Sequence, residues 1–207
     1  MASEPPVTTD PETDSEPVVV LGGFLSSPGF YREMCGAIRT LRKCTVEVAD
    51  VWIWHWAAAG SARGWSRILD RLHESILQTA SDSPTGKVVL VGHSAGGVIG
   101  RLYLSDQPFR GRTYAGLERV STLITLGSPH ANPERARLRR EVEQRLPGAF
   151  FAPQVRYVAV AGRAVSGKAG GGSSRRSAGW FYRHLVGHGE VWGDGLGPVE
   201  SALLEGA

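Results

Sequence analysis

The chain is poor in the residues that staple a fold, bind a metal or cross a membrane. Only two of its 207 residues are cysteine, Cys35 and Cys44, and neither sits in a Cys-x-x-Cys or metal-ligand spacing. The expectation is two reduced, half-buried thiols rather than a disulfide, one on the first helix and one before the second strand. No apolar run approaches the ~18 residues that a membrane span needs, so contact with a membrane would be peripheral. The first seventeen residues contain no Lys or Arg, although Glu4, Asp10, Glu12, Asp14, Glu16 and four prolines lie there. Residues 1–17 therefore read as a disordered acidic leader before a domain over 18–207. Such a leader lacks the basic start and apolar core of a secretory signal, and it is too acidic for an organelle transit peptide. The expected location is intracellular and soluble: cytoplasmic, or plastid if a transit peptide lies upstream of this sequence. The net charge of +3 is mild, and aromatics make up 8% of the chain. With no nucleic-acid motif or aromatic platform, the basic segment Arg135–Arg145 reads as a solvated helix face.

What is present is an alternation of strand and helix signals, which predicts a parallel sheet with helices on both faces, an α/β class. Strands are predicted at Val18–Leu21, Thr45–Val51, Val88–Val91, Val120–Leu126 and Val155–Ala161. Helices are predicted at Pro28–Leu41 (with Ser27 as N-cap), Gly64–Thr79, Ala95–Leu104, Pro133–Leu146 and Ala178–Leu185. Residues 166–179 are rich in Gly and Ser and read as a flexible segment, either a lid carrying Arg175 and Arg176 or a surface insertion.

The most informative stretch is Val88-Val89-Leu90-Val91-Gly92-His93-Ser94-Ala95-Gly96-Gly97. A doubly buried strand runs into Gly-x-Ser-x-Gly and then into a helix. A sharp strand–Ser–helix turn exposes a serine hydroxyl at the top of a sheet, and its glycines keep side chains out of the corner. Ser94 is thus a candidate nucleophile. Acyl transfer also needs donors aimed at the developing oxyanion. One candidate is the N–H of Ala95, the residue after the nucleophile. The other lies in Leu21-Gly22-Gly23-Phe24-Leu25, where Phe24 is the first choice and Leu25 the second. Asp194, in Gly193-Asp194-Gly195, is a candidate acid on a late glycine-rich turn; as an isolated feature it is equally a plain turn residue. Trp52, Trp54, His55 and Trp56 either wall an acyl pocket or pack a loop.

These motifs, with Leu126-Gly127-Ser128-Pro129-His130 between them, together resemble the lipase/esterase-like branch of the α/β-hydrolase superfamily. The similarity is greatest to a plant and cyanobacterial group of lipase-like proteins, and more distant to inositol deacylases. It spans Val18 to the C-terminus. It implies an α/β-hydrolase fold and an acyl-enzyme on Ser94, with Asp194 as triad acid and Phe24 and Ala95 as oxyanion donors. The implied substrate is a small-molecule or lipid ester, with no metal or organic cofactor. The chain departs from the pattern in two ways. Many relatives have His-Gly where Gly22-Gly23 stands. More seriously, the family's histidine lies downstream of the acid, whereas none of the thirteen residues after Asp194 is His. The six histidines (His55, His73, His93, His130, His184 and His188) all precede it. The resulting expectation is a domain lacking its C-terminal strand and catalytic His, and hence weak or no activity. The competing expectation is a non-catalytic or decayed hydrolase-fold protein serving as a binding module.

Overall fold

Six valines and two leucines decide how the sheet is buried. β1 (Val18–Leu21) and β3 (Val88–His93) are almost wholly apolar, as strands must be when helices cover both faces. Side chains alternate across the pleat. Val19, Leu21, Val88 and Leu90 therefore join one core, while Val18, Val20, Val89 and Val91 join another. In the computed structural model, which describes residues 15–130, 137–168 and 172–207, these strands form the centre of a five-stranded parallel sheet. The strand order is β2-β1-β3-β4-β5, with β2 at Val46–Val48, β4 at Val120–Leu126 and β5 at Arg156–Val160. All four pairings are parallel.

The larger core lies under α3 (Ala62–Ala80) and α4 (Ala95–Tyr103). Trp65, Ile68, Leu69, Leu72 and Ile76 form the buried stripe of α3, at the spacing the sequence predicts. The smaller core lies under α1 (Arg32–Arg42), which contributes Cys35. Both cysteines are free thiols; Cys35 is buried and Cys44 half-buried.

Several elements differ from expectation. The segment Pro28–Leu41 opens as a 3-10 turn over Pro28–Tyr31 before α1 begins. Ser27 does not cap it; its hydroxyl instead accepts the Ile53 N–H at 3.3 Å. The second strand is shorter than Thr45–Val51. The tryptophan-rich stretch after it folds into a short helix, α2 (Ile53–Ala57). In the fifth helix, α5 (Arg137–Arg145), Val142 is buried; the predicted residues 133–136 lie outside the described residues.

The Gly/Ser-rich stretch differs most. Residues 173–179 form the first turns of α6 (Ser173–Val186), and residues 169–171 lie outside the described residues. The glycines serve close approach: a β-carbon on Gly167 would lie 2.0 Å from the Gly189 carbonyl oxygen, and one on Gly189 would lie 2.4 Å from that of Gly179. α6 thus seats against a small antiparallel pair, β6 (Val165–Ser166) and β7 (Trp192–Gly193), which local patterning did not predict. Of the expected leader, residues 1–14 lie outside the described residues. Pro17 accepts the Val89 N–H, and Glu16 accepts hydrogen bonds from Thr85 and Ser121.

α4 is tied to α5 by an internal charge. Arg101 is buried, and its guanidinium reaches Glu143 at 3.0 Å and the Leu146 carbonyl. Glu143 is half-buried, and removing it leaves the buried Arg101 charge without its carboxylate. Glu143→Ala should therefore lower the unfolding free energy by roughly 2 kcal/mol in a urea titration, the strength of a hydrogen bond to a charged group. Glu141→Ala breaks only the exposed 3.5 Å pair with Arg145 and should cost no more than about 0.5 kcal/mol. Equal losses would overturn this account of the helix contact.

Candidate functional site

The order of the strands determines where a site can form. From β1 the chain winds outward to β2, then returns over β1 to β3 and winds the other way. In such sheets the turns after the two central strands diverge and leave a crevice at their carboxyl ends. Here those turns are Gly22–Leu25 after β1 and His93–Ala95 after β3.

Ser94 occupies the corner itself, with φ 52° and ψ −124°, in a region that side-chain-bearing residues avoid. Its N–H donates to the Leu126 carbonyl at 2.9 Å, which ties the corner to β4. The surrounding glycines are sterically required. A β-carbon on Gly96 would lie 2.3 Å from the Leu21 carbonyl oxygen, and one on Gly97 would lie 2.1 Å from Ser128 Oγ. The helix can start only where β1 and the Ser128 turn leave room for bare backbone.

The turn after β1 lies directly against the serine: a β-carbon on Gly23 would come within 2.9 Å of Ser94 Cβ. Phe24 and Leu25 follow on the exposed surface, and Leu25 has φ 59°. Among the described residues no acceptor takes the N–H of Phe24, Leu25 or Ala95. The Phe24 ring meets Trp56 edge-on at 6.3 Å, so α2 backs this turn. Trp56 is buried, whereas Trp52 and Trp54 stack on each other at 5.2 Å with exposed faces.

Asp194 stands at the same sheet edge. A β-carbon on Gly127, the residue after β4, would lie 3.1 Å from its Oδ2, and one on Gly162, beyond β5, 2.9 Å from its Cβ. Asp194 Oδ1 accepts the N–H groups of Leu196 and Gly197 at 2.8 and 2.7 Å. Tyr182 of α6 anchors this turn by accepting the Gly195 N–H at 2.8 Å and donating to the Val165 carbonyl at 3.1 Å. No hydrogen bond reaches Oδ2 from the described residues. The structure therefore brings Ser94, Ala95, Phe24 and Asp194 to one edge of the sheet.

None of the six histidines hydrogen-bonds Ser94 Oγ. His55 accepts the Trp52 N–H, and His73 bonds Tyr103. His184 bonds the Trp180 carbonyl on its own helix, and His188 pairs with Glu200 at 2.8 Å. His130 is buried between Arg101 and Thr125. Burial, reinforced by the nearby arginines, pushes its pKa down to about 3. His93 bonds Tyr31 at 2.9 Å; burial lowers its pKa, against an upward pull from the Asp194 charge. Sequence reasoning missed Tyr31 and Tyr182, whose roles depend on contacts outside their own elements, and Ser26, whose hydroxyl closes a local turn onto Gly23.

No helix among the described residues is long and apolar enough to cross a membrane. Among the same residues, no group of three or more His, Cys, Asp or Glu side chains is placed to hold a metal ion.

Residues 66–144 match the sequence profile of the family described as PGAP1-like alpha/beta domain. Nothing among curated proteins matches the chain. Among solved structures it is similar to a point mutant of tomato methylketone synthase I, with 15% identity and a TM-score of 0.41 over 62% of this chain and 46% of that one. It is also similar to a pyrethroid hydrolase from Sphingobium faniae JZ-2, with 18% identity and a TM-score of 0.39 over 57% and 42% of the two chains. For an acetylxylan esterase the values are 18%, 0.41, and 56% and 64% of the two chains. The chain thus spans less than two thirds of each of these structures.

Two outcomes follow. The backbone strain at Ser94 costs about 1–3 kcal/mol, which a glycine would relieve. Ser94→Gly should therefore melt above both the parent and Ser94→Ala in differential scanning calorimetry; a lower melting temperature would refute stored strain. The second concerns acid. Folded His130 stays neutral down to about pH 3, whereas unfolded histidine takes up its proton near pH 6.5. The stabilisation is complete above that upper value and is lost as pH falls toward the lower one, at up to about 1.4 kcal/mol per pH unit. Denaturant titrations at pH 7, 6, 5 and 4 should show a shallower decline for His130→Gln than for the parent.

Proposed function

We propose, for a chain whose fold is that of the α/β-hydrolase superfamily, that its site is built for acyl transfer from carboxylic esters, with Ser94 as the nucleophile. The observation that carries this reading is the strained Ser94 at the β3–α4 corner, flanked by the Phe24 and Ala95 N–H groups, which have no acceptor among the described residues. In the proposed reaction Ser94 Oγ attacks the ester carbonyl, and the oxyanion rests on the N–H groups of Phe24 and Ala95. Each such donor contributes about 3–4 kcal/mol to the barrier reduction. The tetrahedral intermediate collapses with breakage of its bond to the leaving group, the alkoxide departs as an alcohol carrying the proton that Ser94 Oγ gave up, and water then hydrolyses the acyl-serine to the free acid and the serine hydroxyl. Asp194 is the acid that would orient an imidazole: its Oδ1 is held by two backbone N–H groups and its Oδ2 is left for a ring N–H.

The exposed apolar groups at the mouth (Phe24, Leu25, Trp52 and Trp54) suit an apolar acyl or alcohol group, in a small molecule or a lipid. The esterase and hydrolase names of the similar structures agree with this class but select no substrate. The unmet requirement is the base. Without an imidazole on Ser94, its hydroxyl keeps an ordinary pKa and attacks slowly. That same observation favours a second reading, a hydrolase-fold module that binds without turnover.

Chemical rescue separates the two. Residues 1–207 should hydrolyse p-nitrophenyl acetate no better than about 10³-fold over water, the level that an oxyanion hole and binding sustain alone. Added imidazole should raise the rate along a saturating curve above that seen with Ser94→Ala, which reports imidazole's own reaction. Asp194→Ala should weaken the rescue. A rate identical to that of Ser94→Ala at every imidazole concentration would leave the binding-module reading standing.

A further inference from the structure

Around Gly23 the hydrogen bonds can be counted atom by atom. The Gly23 carbonyl accepts the Ser26 N–H at 3.1 Å and the Ser26 hydroxyl at 2.7 Å. The Gly23 N–H donates to Tyr31 Oη at 2.8 Å. Tyr31 has a single proton, and it goes to Ser26 Oγ at 3.2 Å, because the Ser26 proton is already committed to Gly23. The remaining contact, Tyr31 Oη to His93 Nδ1 at 2.9 Å, then closes only if Nδ1 is the donor. The network is self-consistent in one arrangement: His93 carries its proton on Nδ1, and the lone pair of the neutral ring lies on Nε2. Room for the network depends on Gly22, where a β-carbon would lie 2.5 Å from Ser26 Oγ and 2.6 Å from the Tyr31 ring.

The consequence lies one atom further along. The Gly23 C=O and the Phe24 N–H belong to the same planar peptide unit and point in opposite directions. A group that fixes the carbonyl therefore fixes the amide. Glycine-flanked peptides rotate readily, and a flip here would turn the Phe24 N–H away and present a carbonyl oxygen instead.

We propose that Tyr31, Ser26 and His93 form a positioning clamp on the two peptide planes that flank Gly23, Ser26 holding the carbonyl of the Gly23–Phe24 unit and Tyr31 the N–H of the Gly22–Gly23 unit, with His93 held as the Nδ1–H tautomer. This rests on the acyl-transfer reading only for its purpose; the clamp and the tautomer are properties of the folded chain. None of the three is a catalytic residue, because each acts through the Phe24 amide.

Long-range ¹H–¹⁵N NMR of the folded 207-residue chain reads the tautomer directly, and amide hydrogen exchange reads Gly23. The expected parent spectrum shows a protonated-type Nδ1 on His93. Ser26→Ala frees the Tyr31 proton, so the ring should shift toward Nε2–H while the melting temperature stays near the parent's. Tyr31→Phe removes the acceptor of the Gly23 amide and should speed its exchange about tenfold, the ratio commanded by one hydrogen bond of ordinary net strength. In the imidazole-rescued reaction, Tyr31→Phe should lower kcat with KM unchanged, because an oxyanion donor acts in the transition state. A parent His93 protonated on Nε2, a Ser26→Ala spectrum identical to the parent's, or a Gly23 exchange rate in Tyr31→Phe identical to the parent's would overturn the clamp. If no Ser94-dependent rate exists in the parent, the acyl-transfer reading fails alone, and the tautomer and exchange rates still decide the clamp.

Discussion

Where α4 begins, backbone touches backbone. Gly96 lies against the carbonyls of Leu21 and Gly22 at the end of β1, Gly97 lies against Ser128 beyond β4, and Gly92 faces Gly97 across the turn. Three consecutive strands in the sheet order are pinned at one point, by backbone at Gly92 and Gly96 and by the Ser128 and Thr125 side chains at Gly97. The rest of the site follows from that crowding. It forces Ser94 into its positive φ, aims the first N–H of α4 outward, and sets the loop after β1 beside the serine. A helix that started one residue later, or with an alanine at either glycine, would have to lift away from the sheet and take the corner with it.

Behind the corner the structure uses polar groups sparingly. Arg101 on α4, Thr125 on β4, His130 in the following turn and Glu143 on α5 form one connected set beneath the exposed edge. Burial, with the Arg101 guanidinium beside it, keeps the His130 imidazole neutral and weakly basic, and both its ring nitrogens are taken by Arg101 and Thr125, so it serves as a structural donor–acceptor and not as the base. Among the histidines, then, the one best buried near the sheet edge belongs to the scaffold. His93, next to the serine in sequence, is taken up by Tyr31. Among the described residues the edge has an acid and the unpaired amides of Phe24, Leu25 and Ala95, and its imidazoles are committed elsewhere.

α6 and the small β6–β7 pair extend the edge on its far side. Their contact through Gly167, Gly179 and Gly189 lets Tyr182 reach the turn carrying Asp194, so that a carboxylate remote from Ser94 in the chain comes to lie over the ends of β4 and β5. Position here is set by two kinds of anchor. Glycines permit backbone to approach backbone, and tyrosine hydroxyls, Tyr31 on one side and Tyr182 on the other, bond the loops that result.

Much of this was legible from residue order alone. β1 carries the predicted bounds because doubly buried strands must be continuously apolar, and β4 carries them through its β-branched residues and the Gly127 turn, although Ser121, Thr122 and Thr125 interrupt its apolar run. The amphipathic stripe of α3 and the strand–Gly-x-Ser-x-Gly–helix turn were equally plain, since periodicity and glycine placement are local signals. Non-local contacts decided the remainder. Residues 173–179 read as flexible because glycine and serine have weak helix propensity, yet tertiary packing against residues 167 and 189 makes them a helix. Ser27 looked like a cap but was drawn off to α2. Tyr31 lay inside the predicted helix, and only the parallel pairing of β1 with β3 brings it onto His93. Local sequence determines which residues must be buried and where the backbone must turn sharply. Which side chains meet at that turn depends on strand order, and strand order is a property of the whole chain.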